Sequence, residues 1–302
     1  MDLNNPMNDN ESRDFDTPFE VLMPEGGIAS PFVFNSPHSG RLYPQAFLDQ
    51  ARLDAVTLRR SEDTFVDELF TCATSLGSPL MRAHFPRAFV DLNREAYELD
   101  PRMFDGPLPP YVNTRSIRVA GGLGTIARIV ADGAEIYRDR LSVREGLQRI
   151  ERYYKPYHHT LRGLVDRARR TFGMAIVIDC HSMPSSRITR EPRRRPDFVL
   201  GDRYGTSCAS IITDVAQETL QRLGYMVTRN KPYAGGYITE TYGAPAAGQH
   251  ALQIEINRAL YMDEVKYERT SGFSWLANDI GHLCQRLTEI APDTLLTRQA
   301  AE

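Results

Sequence analysis

Ala175-Ile176-Val177-Ile178-Asp179-Cys180-His181-Ser182-Met183 is the stretch on which the fold turns. Its apolar half reads as a core strand over 174–179, and its second half delivers an acid and an imidazole to that strand's end. The construction recurs along the chain. Phe32-Val33-Phe34 runs into Ser36-Pro37-His38-Ser39-Gly40, where Pro37 ends the strand, and Ala88-Phe89-Val90 runs into Asp91-Leu92-Asn93-Arg94-Glu95. A fourth polar set, Gln253 to Arg258, lies inside the apolar run around Ile254 and Ile256. In open α/β sheets, ligands bind at the carboxyl ends of strands. Two histidines, an acid and an arginine delivered there point to a metal-hydrolase site.

Working outward, strands are expected over 31–36, 79–84, 87–92, 197–200, 225–229 and 250–257. Helices are expected over 52–76, 134–172, 205–223 and roughly 272–290. Ser61 reads as the cap of a second helix inside 52–76, Pro156 as a division or kink in 134–172, and Gly224 as the end of 205–223. The Pro- and Gly-rich stretch 100–124 reads as a lid, a binding loop or a plain surface excursion. Residues 187–196 read as a basic loop. Strands alternating with long helices argue for one α/β domain over 18–302 with a central parallel or mixed sheet, behind a polar arm at 1–17.

Bulk composition narrows the function. The 302 residues are 41% apolar and 25% charged, as in an ordinary soluble globular protein. A net charge of −3 argues against a nucleic-acid partner. The basic residues are almost all arginine, a skew that genomic base composition explains without function. Cys72, Cys180, Cys208 and Cys284 form no CxxC pair, so reduced thiols in a cytoplasmic protein are expected rather than a disulfide framework or a cysteine zinc site. The acidic N-terminus lacks an apolar signal core, and no stretch approaches 18 apolar residues, so no membrane span is expected.

His38 and His181 each follow a strand-like run and precede small or polar residues. Two imidazoles and one carboxylate with an open fourth position form the catalytic zinc arrangement. The acid is expected from Asp63 or Glu62, with Asp63 preferred. Glu255, unpaired within an apolar run, suits a general base, because burial raises a carboxylate's pKa. Asn93-Arg94 can grip a carboxylate. Arg118 and Arg128, flanking Gly121-Gly122-Leu123-Gly124, are candidates for a closing loop over an anionic substrate. His158, on an aromatic-rich helix, suits packing or a hydrogen bond behind the metal, and Asp179 is assigned the same supporting role. His84, His250 and His282 read as structural.

Together these motifs resemble the N-formylglutamate amidohydrolase family. The matching stretches are Ser36–Gly40, Glu62–Leu69, Asp91–Glu95, Asp179–Met183 and Gly235–Tyr237 through Gln249–Arg258, spanning about 30–265. The resemblance extends to zinc carboxypeptidases and aspartoacylases. It implies a doubly covered mixed sheet (a three-layer αβα domain), one zinc held by His38 and His181, Glu255 as base, and Asn93-Arg94 as a carboxylate clamp. Carboxypeptidase relatives place the acid ligand three residues after the first histidine. Here that position is Arg41, so the acid must come from elsewhere. The implied reaction is hydrolysis of N-formyl-L-glutamate to L-glutamate and formate, as in histidine degradation. Arg187 and Arg258 join Arg94, Arg118 and Arg128 as candidates to neutralise a small dicarboxylate substrate. Another first-row divalent metal would suit the same ligands. The rivals are a deacylase of the same mechanism with another N-acyl substrate, and a non-catalytic anion-binding relative.

Overall fold

The two strands that carry site residues are also the longest. In the computed structural model, which describes residues 15–130, 133–185 and 195–291, the strand foreseen over 174–179 spans Ala175–Met183, and its neighbour spans Gln249–Asn257. They pair in parallel from Ala175↔Gln249 to Met183↔Asn257. Side chains alternate between the faces of a strand. Ile176, Ile178 and Cys180 therefore join Leu252, Ile254 and Ile256 in one apolar layer. The opposite face starts apolar, with Ala175, Val177 and Ala251. It then turns polar, with Asp179 beside Gln253 and His181 beside Glu255. One sheet face thus carries only core, while the other carries core at one end and chemistry at the other.

Among the described residues the main sheet has seven strands: β1 (Phe19–Leu22), β2 (Phe32–Ser36), β3 (Leu80–Ala83), β4 (Ala175–Met183), β5 (Phe198–Gly201), β6 (Val227–Arg229) and β7 (Gln249–Asn257). Their spatial order is β1-β3-β2-β4-β7-β5-β6. Strands β3, β2, β4 and β7 run parallel; β1 opposes β3, and β5 opposes β7 while running parallel to β6. Helix α1 (Lys155–Phe172) covers the face that bears the polar residues, burying Tyr157, Leu161, Leu164 and Val165. Helices α2 (Ser210–Arg222) and α3 (Gly272–Thr288) cover the other. The expected layered α/β domain with a central mixed sheet is what forms. Among the described residues, no helix is long and apolar enough to cross a membrane.

Several local expectations fail for physical reasons. The stretch 52–76 is not one or two helices. It forms short turns, Ala55–Leu58, Val66–Leu69 and Cys72–Ser75, broken by extended Glu62 and by Phe65 in the left-handed region at φ 67°. The break draws Asp63 toward β2, where its N–H donates to the His38 carbonyl at 2.9 Å. Ser61 caps no helix; its hydroxyl donates to the Leu58 carbonyl, and Asp54 caps Ala55–Leu58 instead. Residues 87–92 form no strand. Ala88, Phe89 and Val90 are apolar because they pack into the core, with Phe89 against Phe15, Phe47, Phe85 and Tyr153.

The helical stretch begins at Val143 rather than near 134, and it continues into α1 through a π turn, Ile150–Tyr154. Pro156 has no N–H to donate to the Arg152 carbonyl, and the helix widens there instead of dividing. Helix α2 starts at Ser210, later than foreseen, and Gly224 follows it at φ 91°. Residues 1–14 of the expected arm and 187–194 of the basic loop, including Arg187, lie outside the described residues. Phe15 is buried against Phe85, Phe89 and Tyr153, so packed chain begins before residue 18.

Candidate metal centre

Three buried side chains from three segments meet at the carboxyl ends of β2 and β4: His38, Asp63 and His181. Asp63 Oδ2 lies 3.5 Å from His38 Nδ1 and 3.0 Å from His181 Nδ1. Each imidazole is held from behind. His38 Nε2 donates to Asp91 Oδ1 at 2.8 Å, and His181 Nε2 donates to Asp179 Oδ2 at 2.8 Å. A ring whose Nε2 carries the proton offers its Nδ1 lone pair on the other side. His38 Nδ1 is buried and has no hydrogen-bond partner among the described residues.

This donor set fits a divalent ion. Ligands about 2.0–2.2 Å from a tetrahedral centre lie about 3.4 Å from one another, close to the spacing seen here. Asp63's other oxygen, Oδ1, accepts from Ser182 Oγ at 3.0 Å and from Arg258 at 3.2 Å, which leaves Oδ2 for the centre. Glu62, the alternative acid, is not in the cluster. It is turned away to accept from Tyr43, Thr64 and Arg59. Gly40 permits the chain to leave β2 under the neighbouring loop, since a Cβ there would sit 2.0 Å from the Phe85 carbonyl oxygen.

The electrostatics match a site that gathers positive charge. Burial would raise the Asp63 carboxyl, but the hydrogen bond from His181 and the nearby His38 imidazole hold it well below the usual range. Burial would lower His181, but Asp179 and Asp63 raise it well above the ordinary imidazole value. Asp91 is likewise held down, against its burial, by Arg87, Arg94 and His38. A cation seated among the two Nδ1 atoms and Asp63 Oδ2 would take the place of the proton that His181 Nδ1 and Asp63 Oδ2 share at 3.0 Å.

Glu255 lies beside His181 across the β4–β7 pair and is 8% exposed. Burial pushes its pKa up to about 8, opposed by His181, Arg87 and Arg258. Gln253 Nε2 donates to its Oε1 at 2.8 Å and steers the carboxyl. Arg87 is a further charged residue here that the sequence pattern does not single out. It pairs with Asp91 at 2.9 Å, stays partly exposed, and lies within electrostatic reach of Asp63 and Glu255. Its signal is the four-residue spacing to Asp91, which the strand expected over 87–92 conceals.

The remaining candidates divide. Arg94 donates from Nε to the Leu123 carbonyl and from NH1 to the Asn93 carbonyl, each at 2.7 Å. Burial, with Arg87 and Arg118 nearby, pulls its guanidinium below its ordinary range. Asn93 is committed inside the protein: its Oδ1 accepts from Ile238 N–H at 2.8 Å, and its amide nitrogen rests against Asp179 and His181. Only Gly236 allows this, because a Cβ there would meet the Asn93 amide at 2.4 Å. Arg258 is fully engaged with Ser182, Asp63 and the Arg60 carbonyl, so it orients the acid rather than facing a ligand. Arg128 is spent on Asp100 and Glu135, and Arg118 lies 3.8 Å from Glu98. Asp179 stands directly behind His181, whereas His158 contacts the Leu92 carbonyl and Tyr242 and does not touch the centre.

The family model for N-formylglutamate amidohydrolase matches residues 30–262. Two curated relatives, the N-formylglutamate deformylases of Pseudomonas putida and Pseudomonas aeruginosa, are each 30% identical over 78% of this chain and 83% of their own length. Among solved structures, N-formylglutamate amidohydrolase from Ralstonia eutropha JMP134 is 39% identical, with 90% of this chain and 97% of that one covered and a TM-score of 0.85. A gene product of Agrobacterium tumefaciens shares the fold at 17% identity, with 89% and 94% covered and a TM-score of 0.65.

Proposed function

The chain belongs to the N-formylglutamate amidohydrolase family, and we propose from that premise and from the site that it hydrolyses N-formyl-L-glutamate to L-glutamate and formate with the help of one zinc ion. The observation that carries the reading is the convergence of His38 Nδ1, His181 Nδ1 and Asp63 Oδ2, with Glu255 on the adjoining strand. Zinc bound by those three groups would polarise the formyl oxygen and lower the pKa of the attacking water. A different first-row divalent ion would be accepted by the same donors.

Glu255 then moves the proton. A carboxylate with raised proton affinity takes a proton from the attacking water and passes it to the nitrogen as the C–N bond breaks, so glutamate leaves as the amine. Asp91 and Asp179 fix the imidazole tautomers, and Arg258 fixes Asp63. The formyl group is too small to supply much discrimination, so recognition falls on the two carboxylates of the substrate. Their burial needs compensating positive charge. Arg94 and Arg87 are the cations this reading assigns to that task. The depressed Arg94 pKa supports it, since a guanidinium desolvated by burial, with Arg87 and Arg118 nearby, favours an incoming anion. With this substrate the enzyme would serve histidine degradation in the cytoplasm, a setting that suits four free thiols.

Comparing kcat/KM for N-formyl-, N-acetyl- and N-succinyl-L-glutamate, and for N-formyl amino acids without a side-chain carboxylate, tests the proposal. N-formyl-L-glutamate should exceed the others. A higher value for another acyl group or an uncharged side chain would replace this substrate, and absence of turnover on every member would end the enzymatic reading.

A further inference from the structure

The π turn Ile150–Tyr154 and the start of α1 place Tyr154 and His158 one helical turn apart. Both reach the same short loop. Tyr154 donates its hydroxyl to the Arg94 carbonyl at 2.6 Å, and His158 Nε2 lies 2.9 Å from the Leu92 carbonyl. These carbonyls flank Asn93. Because a carbonyl only accepts, His158 carries its proton on Nε2. Its bare Nδ1 then faces the Tyr242 hydroxyl at 3.0 Å, whose one proton is shared between that nitrogen and the His158 carbonyl at 3.2 Å. The imidazole is boxed by Tyr154 at 4.3 Å, Tyr237 at 5.8 Å and Tyr242 at 6.0 Å between ring centroids. Burial holds its pKa down to about 4, so the ring stays neutral at ordinary assay pH.

Residues 91–95 belong to no strand, so no ladder holds them. One backbone bond, from the Asp91 N–H to the Thr125 carbonyl at 2.8 Å, anchors the start, and side chains hold the rest. The carbonyls of Leu92, Asn93 and Arg94 accept from His158, Arg94 and Tyr154 in turn. The π turn makes this reach compatible with the packing that precedes it. Such a turn takes one residue more than an α turn and re-phases the helix faces on either side. Arg149 and Tyr153 therefore pack on Phe89, while Tyr154 and His158 face the loop.

We propose that Tyr154 and His158 are positioning residues that bracket Asn93 and set the orientation in which Arg94 receives a carboxylate of the substrate. This rests on the reading that Arg94 binds that carboxylate.

Four variants test it: Tyr154→Phe, His158→Phe, His158→Gln and Arg94→Ala, each assayed for kcat, KM, the competitive Ki of glutarate, metal content and thermal midpoint. Tyr154→Phe and His158→Phe should each raise KM and the glutarate Ki by about tenfold, the scale of one lost buried hydrogen bond, with kcat within about threefold and metal content unchanged. His158→Gln keeps a donor where Nε2 stood and should restore most of the affinity. KM and Ki unchanged in both phenylalanine variants, or rising only in step with metal loss or a lowered midpoint, would overturn the proposal while leaving the reading of Arg94 intact. If Arg94→Ala itself leaves KM and Ki unchanged, or the unsubstituted protein does not cleave N-formyl-L-glutamate, the underlying reading fails and this proposal fails with it.

Discussion

His38 and His181 present the same nitrogen toward Asp63 because a carboxylate occupies the far side of each ring. Asp91→Asn or Asp179→Asn removes that charge and frees the tautomer. Each is expected to weaken metal affinity by about 10- to 100-fold, measured by competition with a chromogenic chelator. Glu255→Gln should lower kcat by about 10²- to 10⁴-fold with metal content unchanged, since the amide cannot take a proton from water. Arg94→Ala should lower kcat/KM by an amount equivalent to roughly 2–5 kcal/mol, the scale for truncating one partner of a desolvated charge pair. His250 gives a pH prediction with a definite sign. Its pKa is held down to about 4 by burial, against 6.5 for a free imidazole. Between those values the unfolded chain binds the extra proton, so the stability this residue contributes is present near pH 7 and lost as pH falls toward 4. His250→Asn keeps an acceptor for the Ala209 N–H and removes the titration. In urea unfolding the parent should lose roughly 2 kcal/mol more between pH 7 and pH 5 than the variant does.

Among the elements, the strands were legible and the loops were not. Ile176-Val177-Ile178 reads as strand from residue type alone, and the histidines at the ends of β2 and β4 follow from it. The extension of β4 through His181 was invisible because polar residues there look like a strand's end. They face a site, not solvent, and the ladder to β7 continues beneath them. Ala88-Phe89-Val90 misled for the opposite reason. Local pattern cannot tell burial against a neighbouring ring from burial in a sheet. The choice between Asp63 and Glu62 depended on a backbone break at Phe65 that no periodicity announces. Nor could spacing show that Arg258 and Asn93 serve the protein's own acids and amides, because their partners lie 195 and 145 residues away. The loop 235–236 carries a prediction at this scale. Gly236→Ala drives a methyl into the Asn93 amide. It should cost roughly 1–3 kcal/mol in denaturant unfolding and raise KM, as displacement of Asn93 disturbs the loop that holds Arg94.

For the whole molecule, the sheet brings together groups that sequence keeps far apart. His38 leaves β2, His181 sits in the adjacent strand β4, and Glu255 sits in β7 beyond it, so the strand order β2-β4-β7 is itself the order of the site. Asp63 is tied in by its N–H to the His38 carbonyl. Acids lie behind the imidazoles and arginines stand beside them, an arrangement that favours a cation at the centre and an anion next to it. Its most direct test is the metal content of purified protein by elemental analysis, compared among the parent, Asp63→Ala and Glu62→Gln. The parent and Glu62→Gln should each carry one divalent ion per chain, and Asp63→Ala should carry little or none. Full metal in Asp63→Ala, or its loss in Glu62→Gln alone, would contradict the assignment of the centre to His38, Asp63 and His181.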